Sequence, residues 1–302
     1  MLPLFGNASN ARPSDSRRDA TGGRALGPRV RVIASALLVQ LAVPAAAAEL
    51  QPRTVAAFER YVRVTEALAS QDRSFLWIDG LPDAERRAAI ERVRRGELVI
   101  ERLTTREDGK TIDVPGGLMH HWLGAVFVPR ATVDQALALL QNYDEHASIY
   151  KPAVARSRTL SHEGDLFRVH LRFFMKKVIT VVVNSEHEAR FSRPSPDRAQ
   201  SRIYSVRIAE VENPDTPRER EKPVGRDGGY LWRLYTYWRF LERDGGTYVQ
   251  CEAISLTRGI PVGLGWLIGP FVTSIPRESL EFTLEKTRTT LEGIFTPGLG
   301  AR

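Results

Sequence analysis

Residues 259–295 read GIPVGLGWLIGPFVTSIPRESLEFTLEKTRTTLEGIF, and this stretch decides the fold. An apolar, glycine-rich run leads to Ser274, Ile275 and Pro276. Pro276 suits the first turn of a helix, where its missing N–H costs nothing. Beyond it, Leu280, Leu284, Thr287, Leu291 and Ile294 recur at spacings of three and four. That is the stripe of an amphipathic helix. Glu281, Lys286, Arg288 and Glu292 fall mostly off the stripe, and Pro297 and Gly298 end it. Such a helix needs an apolar surface to lie on. Strand-like segments from about Met119 to Arg258 supply one, so the expected fold is α+β, a curved sheet gripping one C-terminal helix.

Seven antiparallel strands are expected. His121–Val128 is the first, stopped by Pro129. Thr132 or its neighbour opens a helix with Val133, Ala136, Leu137 and Leu140 on one side, and a short helix over Asp144–Tyr150 ends before Pro152. Strands follow over Val154–Leu160, Leu166–Phe174 and Val178–Phe191, the last two separated by a turn at Lys176–Lys177 because the combined run is too long for one strand. Arg202–Val211, Tyr230–Leu241 and Tyr248–Thr257 complete the set, with a charged loop at Asn213–Gly229.

The last hairpin is the most specific. Asp244-Gly245 is the preferred dipeptide of a two-residue type I′ turn. That register sets Phe240 opposite Val249, Trp238 opposite Cys251 and Thr236 opposite Ala253. One face then carries Trp232, Leu234, Trp238, Phe240, Val249 and Cys251, and the other Arg233, Arg239, Gln250 and Glu252. Alternation with period two assigns the apolar set to the buried, concave face.

Residues 49–116 precede this unit as a helical arm. Thr54–Ser70 is amphipathic, with Val55, Phe58, Val62 and Leu68 near one face. A second helix is expected from Pro82 to Gly96, and Glu97–Leu103 as a short strand. Phe75, Leu76, Trp77 and Ile78 are placed to pin the arm to the main body. Residues 1–48 read differently. Met1–Pro28 is polar and rich in Gly, Ser and Arg. Arg29 and Arg31 then flank the apolar run Val32–Val43, and Ala46–Ala48 offers an A-x-A cleavage site. This is the pattern of a secretory signal peptide, so export to the periplasm or outside the cell is expected after cleavage near Ala48. An uncleaved anchor is the alternative. Residues 297–302 form a short tail.

Charge excludes one class of partner. The whole chain carries +7, but residues 1–48 hold six Arg and two Asp, which leaves 37 basic against 34 acidic residues beyond them. Bases and acids are interleaved there, so no nucleic-acid stripe is expected. A composition of 42% apolar and 26% charged residues is that of an ordinary globular protein. Cys251 is the single cysteine and lies in a strand, where a buried structural thiol is expected rather than a disulfide or nucleophile.

No catalytic or metal motif is present, and no cofactor or metal is expected. Gly263, Gly265 and Gly269 imitate a dinucleotide fingerprint, but Pro261 and Pro270 flank them and no second parallel strand can follow. His120 and His121 point to opposite faces of an extended strand and cannot share a metal. His170 is read as outer-face, and His187-Glu188 as an isolated pair at a strand end.

The order strand, two helices, six antiparallel strands, long helix resembles the helix-grip fold of the START/SRPBCC superfamily. Two segments carry the likeness: VPRATVDQALALLQNYDEHASIYKPAVARSRTL after the first strand, and GGTYVQCEAISLTRGIPVGLGWLIGPFVTSIPRESLEFTLEKTR at the far end. It spans roughly residues 117–296. The resemblance implies a hydrophobic small molecule or lipid held between sheet and helix, with transient membrane contact as a further expectation. The candidate wall is Phe173, Trp232, Leu234, Trp238, Phe240, Cys251, Trp266, Phe271, Leu280 and Leu284, and the candidate gates are Asn213–Gly229 and Gly259–Phe271. Two alternatives stand beside this carrier. One is a cyclase- or aromatase-like enzyme, which would need Glu252, Tyr235, Tyr237 or Arg233 turned into the cavity. The other is a solid-core structural or interaction protein.

Overall fold

The computed structural model describes residues 48–176, 179–260 and 265–294, with the backbone alone for residues 265–273. Residues 1–47 of the expected leader, Lys177 of the expected turn at Lys176–Lys177 and the side chains of Trp266 and Phe271 therefore lie outside the described residues. The described residues fall in one compact unit. Among the described residues, no helix is long and apolar enough to cross a membrane.

The main sheet is antiparallel and has nine strands. Eight of them are β1 (Val99–Arg102), β2 (Gly117–Pro129), β3 (Val154–Glu163), β4 (Leu166–Lys176), β5 (Thr180–Ser195), β6 (Arg198–Glu212), β7 (Arg233–Arg243) and β8 (Gly246–Arg258). The order across the sheet is β1-β2-β8-β7-β6-β5-β4-β3. The ninth is a two-residue piece, Arg220–Glu221, paired with the end of β6. The seven expected strands are all present, and the arm adds β1 on the edge of β2.

The β7–β8 register is the one the Asp-Gly turn dictates: Phe240 faces Val249, Trp238 faces Cys251 and Thr236 faces Ala253. Asp244 and Gly245 both have positive φ, 59° and 77°, as a type I′ turn requires.

Helix α3 (Val133–Gln141) opens on a capping box. Thr132 Oγ1 accepts the Gln135 N–H at 3.2 Å, and the Gln135 side chain accepts the Thr132 N–H at 2.9 Å. The short α4 (His146–Ile149) follows. Helix α5 runs Gly265–Gly293, longer than the sequence implied, and takes in both Pro270 and Pro276. Pro276 therefore sits inside the helix, and the carbonyl four residues earlier loses its helical donor. Leu280, Leu284, Thr287 and Leu291 are buried against the sheet. Ile294 lies past the helix end and is exposed.

The arm covers the opposite face. Helix α1 (Pro52–Gln71) buries Thr54, Phe58, Tyr61, Val62 and Thr65, whereas Leu68 is exposed. Its face is thus rotated from the purely apolar choice, because part of what it meets is polar: Tyr61 contacts His121 and Thr65 contacts Thr105. Phe58, Tyr61 and Val62 pack with Ile254 and Leu256. Further along, α2 (Asp83–Arg94) contributes Ala89 and Val93 to a cluster in which Leu76 and Ile78 pack with Phe127, Leu241 and Tyr248. The sheet is therefore covered on both faces.

Candidate functional site

Strand alternation and register build the inner face, the one turned toward α5. Toward the β7–β8 turn it is apolar and closed. Val126 and Val128, Val249 and Cys251, Trp238 and Phe240, Ala199, and Phe191 form one buried cluster with Leu280, Leu284 and Leu291 of α5. The Trp238 and Phe240 rings lie 6.0 Å apart and nearly parallel, at 14°. Burial pushes the Cys251 thiol pKa up, as a structural thiol requires.

One row further from the turn the face opens. Trp122, Ala253 and Thr236 are cross-strand neighbours at the centre of the sheet, yet all are half-buried, as are Leu234 and Phe173. The next row is polar. His120 pairs with Ser255, Ser255 with Leu234, Ser205 Oγ accepts the Leu234 N–H at 3.0 Å, and Ser205 pairs with His187. His120, Ser255, Ser205 and His187 are all buried. A β-bulge between β5 and β6 at this point lets both Ser205 and Ile208 face inward.

His187 therefore lies mid-strand inside the grip and not at a strand end. Its Nε2 is 2.9 Å from Ser185 Oγ, while Nδ1 is buried without a partner. Burial holds its pKa near 4, so the ring is neutral at pH 7. Ser201 Oγ on the same face is also buried and unpartnered, as are Tyr143 Oη of the apolar cluster and Nε2 of His146, whose ring lies 4.6 Å from Tyr143. Buried polar atoms without partners are rare and call for an explanation.

The other expected wall residues divide. Leu234, Trp238, Phe240 and Cys251 lie on the inner face with Phe173, and Leu280 and Leu284 oppose them from the helix. Trp232 does not belong with them. It precedes the first residue of β7, so strand alternation does not reach it, and it packs on the outer face with Phe58, Ile254 and Leu256. Its indole N–H donates to Asp227 Oδ1 at 3.0 Å.

Glu252, Tyr235 and Tyr237 stand on the outer face, as the register requires, but α1 covers them. His121 Nε2 meets Glu252 Oε1 at 2.7 Å, and Tyr61 Oη meets His121 Nδ1 at 3.0 Å. Sequence patterning marks this face as polar but gives no sign that a helix buries it.

The loop Asn213–Gly229 is tied down at several points. Arg172 donates two bonds to Glu219, at 2.9 and 2.8 Å, which lower the Glu219 pKa to about 2. Buried Glu210 accepts from Lys222 Nζ at 3.0 Å, the Gly228 N–H at 2.8 Å and the Tyr230 N–H at 3.1 Å. Part of the linker Gly259–Phe271 lies outside the described residues. Among the described residues, no group of His, Cys, Asp and Glu is placed to hold a metal ion.

No protein-family model matches the chain, and no curated protein matches its sequence. Solved structures do. A STAR-related lipid transfer protein fragment from Xanthomonas axonopodis is 16% identical, covering 63% of this chain and 98% of its own, with a TM-score of 0.41. The Zhui aromatase/cyclase from Streptomyces sp. R1128 is 12% identical, covering 61% and 100%, with a TM-score of 0.42. Human STARD10 is 8% identical, covering 68% and 80%, with a TM-score of 0.38. The helix-grip assignment itself rests on the strand order and the closing helix described above.

Proposed function

We propose that the grip holds a hydrophobic small molecule or lipid bearing one polar group, and that the protein is an exported carrier of it. The observation that carries this reading is the division of the inner face. An apolar wall at Trp238 and Phe240 gives way, within two rows, to half-buried Thr236 and Ala253 and then to the row His120, Ser255, Ser205 and His187. The ligand's apolar body lies against the wall, where transfer from water contributes about 25 cal/mol per Å² before association costs. Its hydroxyl reaches the polar row and donates to an acceptor there such as His187 Nδ1, since Ser185 Oγ gives its own proton to the Leu171 carbonyl and takes the His187 Nε2 proton.

The test is titration of ligand-stripped protein with fatty acids, phospholipids and sterols, with native mass spectrometry of the protein as purified. Saturable binding is expected. Trp238→Ala should weaken it by about 1 kcal/mol or more. Trp238→Phe, which keeps most of the volume, separates lost contact from the destabilisation of about 3–5 kcal/mol that large-to-small core changes bring. A well-folded wild type that binds none of these ligands would reject the carrier. For export, N-terminal sequencing of the protein recovered outside the cytosol should begin near Glu49. Residues 1–48 intact in the cytosol would refute that half of the proposal.

A further inference from the structure

On the outer face of the sheet, between α1 and strands β6, β7 and β8, lies a cavity of about 230 Å³. Four charged groups line it: Glu66 from α1, Arg202 from β6, Arg239 from β7 and Glu252 from β8. Arg202, Tyr237 and Glu252 form one cross-strand row, and Gln200 and Arg239 stand side by side in the next. With strands about 4.8 Å apart, the backbones at Arg202 and Glu252 are about 10 Å apart, on either side of Tyr237.

The carboxylates are fixed from behind. Glu66 Oε1 accepts the Tyr237 hydroxyl at 2.9 Å and also the Tyr204 hydroxyl. Glu252 Oε1 faces His121 Nε2 at 2.7 Å. The Thr105 N–H donates to Tyr61 Oη at 2.8 Å, and Tyr61 Oη lies 3.0 Å from His121 Nδ1, so the imidazole is held at both nitrogens. Among the described residues, the second oxygen of each carboxylate makes no hydrogen bond. Arg239 donates to the Phe75 carbonyl at 2.9 Å, and exposed Arg202 donates to no group among the described residues. Neither guanidinium forms an ion pair with either carboxylate, within a limit of 4.0 Å.

Two carboxylate and two guanidinium residues thus line one small cavity, and no cation among them pairs with either anion. We infer that this cavity is a second binding site, for a small zwitterion that carries an ammonium and a carboxylate. The ammonium takes the free oxygens of Glu66 and Glu252, the carboxylate takes Arg202 and Arg239, and the linking carbons cross the Tyr237 ring. A guanidinium recognises a carboxylate through a planar pair of donors, and an ammonium beside an aromatic face gains a further attraction. The volume suits a ligand of about amino-acid size, since sites for larger organic ligands run from about 300 Å³ upward. The site uses the face of the sheet opposite the grip and does not depend on what the grip binds.

Isothermal titration of the protein from Glu49 onward with the free α-amino acids and γ-aminobutyrate tests this. Butylamine and butyrate serve as single-charge controls. At least one zwitterion should bind at one site per chain with a Kd below about 1 mM, and both controls at least about tenfold more weakly. Arg202→Gln removes an exposed charge with no structural partner, so folding is retained while affinity falls about ten- to hundredfold. Glu66→Gln, which keeps an acceptor for both phenols, should lower it similarly. The inference is overturned if no zwitterion binds below about 1 mM, if the controls bind equally well, or if Arg202→Gln leaves affinity unchanged. Fatty-acid or sterol binding in the grip has no bearing on any of these outcomes.

Discussion

His187 illustrates how a single residue is placed by counting in twos. In β5, residues 183, 185, 187, 189 and 191 all face the grip, so an imidazole enters an apolar interior. His120 and His146 are also buried, and burial holds all three near a pKa of 4. The consequence for stability has a definite sign. In the unfolded chain each ring takes a proton near pH 6.5, whereas in the folded chain it resists until about pH 4. Stability is therefore full above pH 6.5, falls between 6.5 and 4, and stops falling once both states are protonated. Each ring contributes a slope of at most about 1.4 kcal/mol per pH unit. Urea unfolding at pH 7, 6, 5 and 4.5 should show a steep loss, and His187→Gln should flatten it by about a third. A stability that is level from pH 7 to 4.5 would show that these rings titrate normally in the folded protein.

At the scale of elements, the contact that closes the grip is α5 on β2. A methyl group at Gly124 would come within 2.4 Å of Leu284 Cδ1 and 2.7 Å of Ile100 Cδ1, so glycine sets how closely the helix approaches. Leu284 is completely buried, and Leu284→Asp would place an unpartnered charge there at a cost of about 4 kcal/mol or more. Glu281 lies on the solvent side in an ion pair with Arg277 at 2.7 Å, and Glu281→Ala should cost no more than about 0.5 kcal/mol. Equal melting temperatures for the two variants would mean the helix presents another face. That stripe was legible in the sequence because Leu280, Leu284 and Leu291 meet an apolar partner, and so was the β7–β8 register, because Asp244-Gly245 admits one turn type. Where partners are polar, the signal failed. Helix α1 buries Tyr61 and Thr65 against His121 and Thr105 and leaves Leu68 in solvent, which no apolar periodicity announces. Trp232 was misassigned for a related reason: alternation holds only within a strand, and β7 begins one residue later. The polar row of the grip was missed because it forms only when five strands are laid in register, with a bulge between two of them.

At the scale of the whole molecule, both faces of the sheet are packed, and the arm that covers the outer one makes up residues 49–116. Removing it would uncover Phe127, Leu241 and Tyr248 at one end and Trp232, Ile254 and Leu256 at the other, all now buried. These residues line the face in two patches, and contiguous apolar surface on that scale drives association. It would also strip β1 from the edge of β2, leaving a long strand with unpaired backbone groups. The polar centre of the face adds to the cost, since His121 and Glu252 would lose Tyr61 and the covering helix that hold their geometry. A chain reduced to residues 117–302 should therefore aggregate, or remain loosely packed with strong binding of an apolar dye, while residues 49–302 unfold in a single cooperative transition. Circular dichroism in the near ultraviolet, dye fluorescence and sedimentation of the two chains would decide it. A shortened chain that stayed monomeric, with native near-ultraviolet signal and an unchanged melting temperature, would mean that the outer face is stable in water and that the arm is an accessory. The milder variant Tyr61→Phe tests the same interface with the arm in place. It leaves the buried His121 Nδ1 and the Thr105 N–H unpaired, and should lower stability by about 1–3 kcal/mol without loss of the fold.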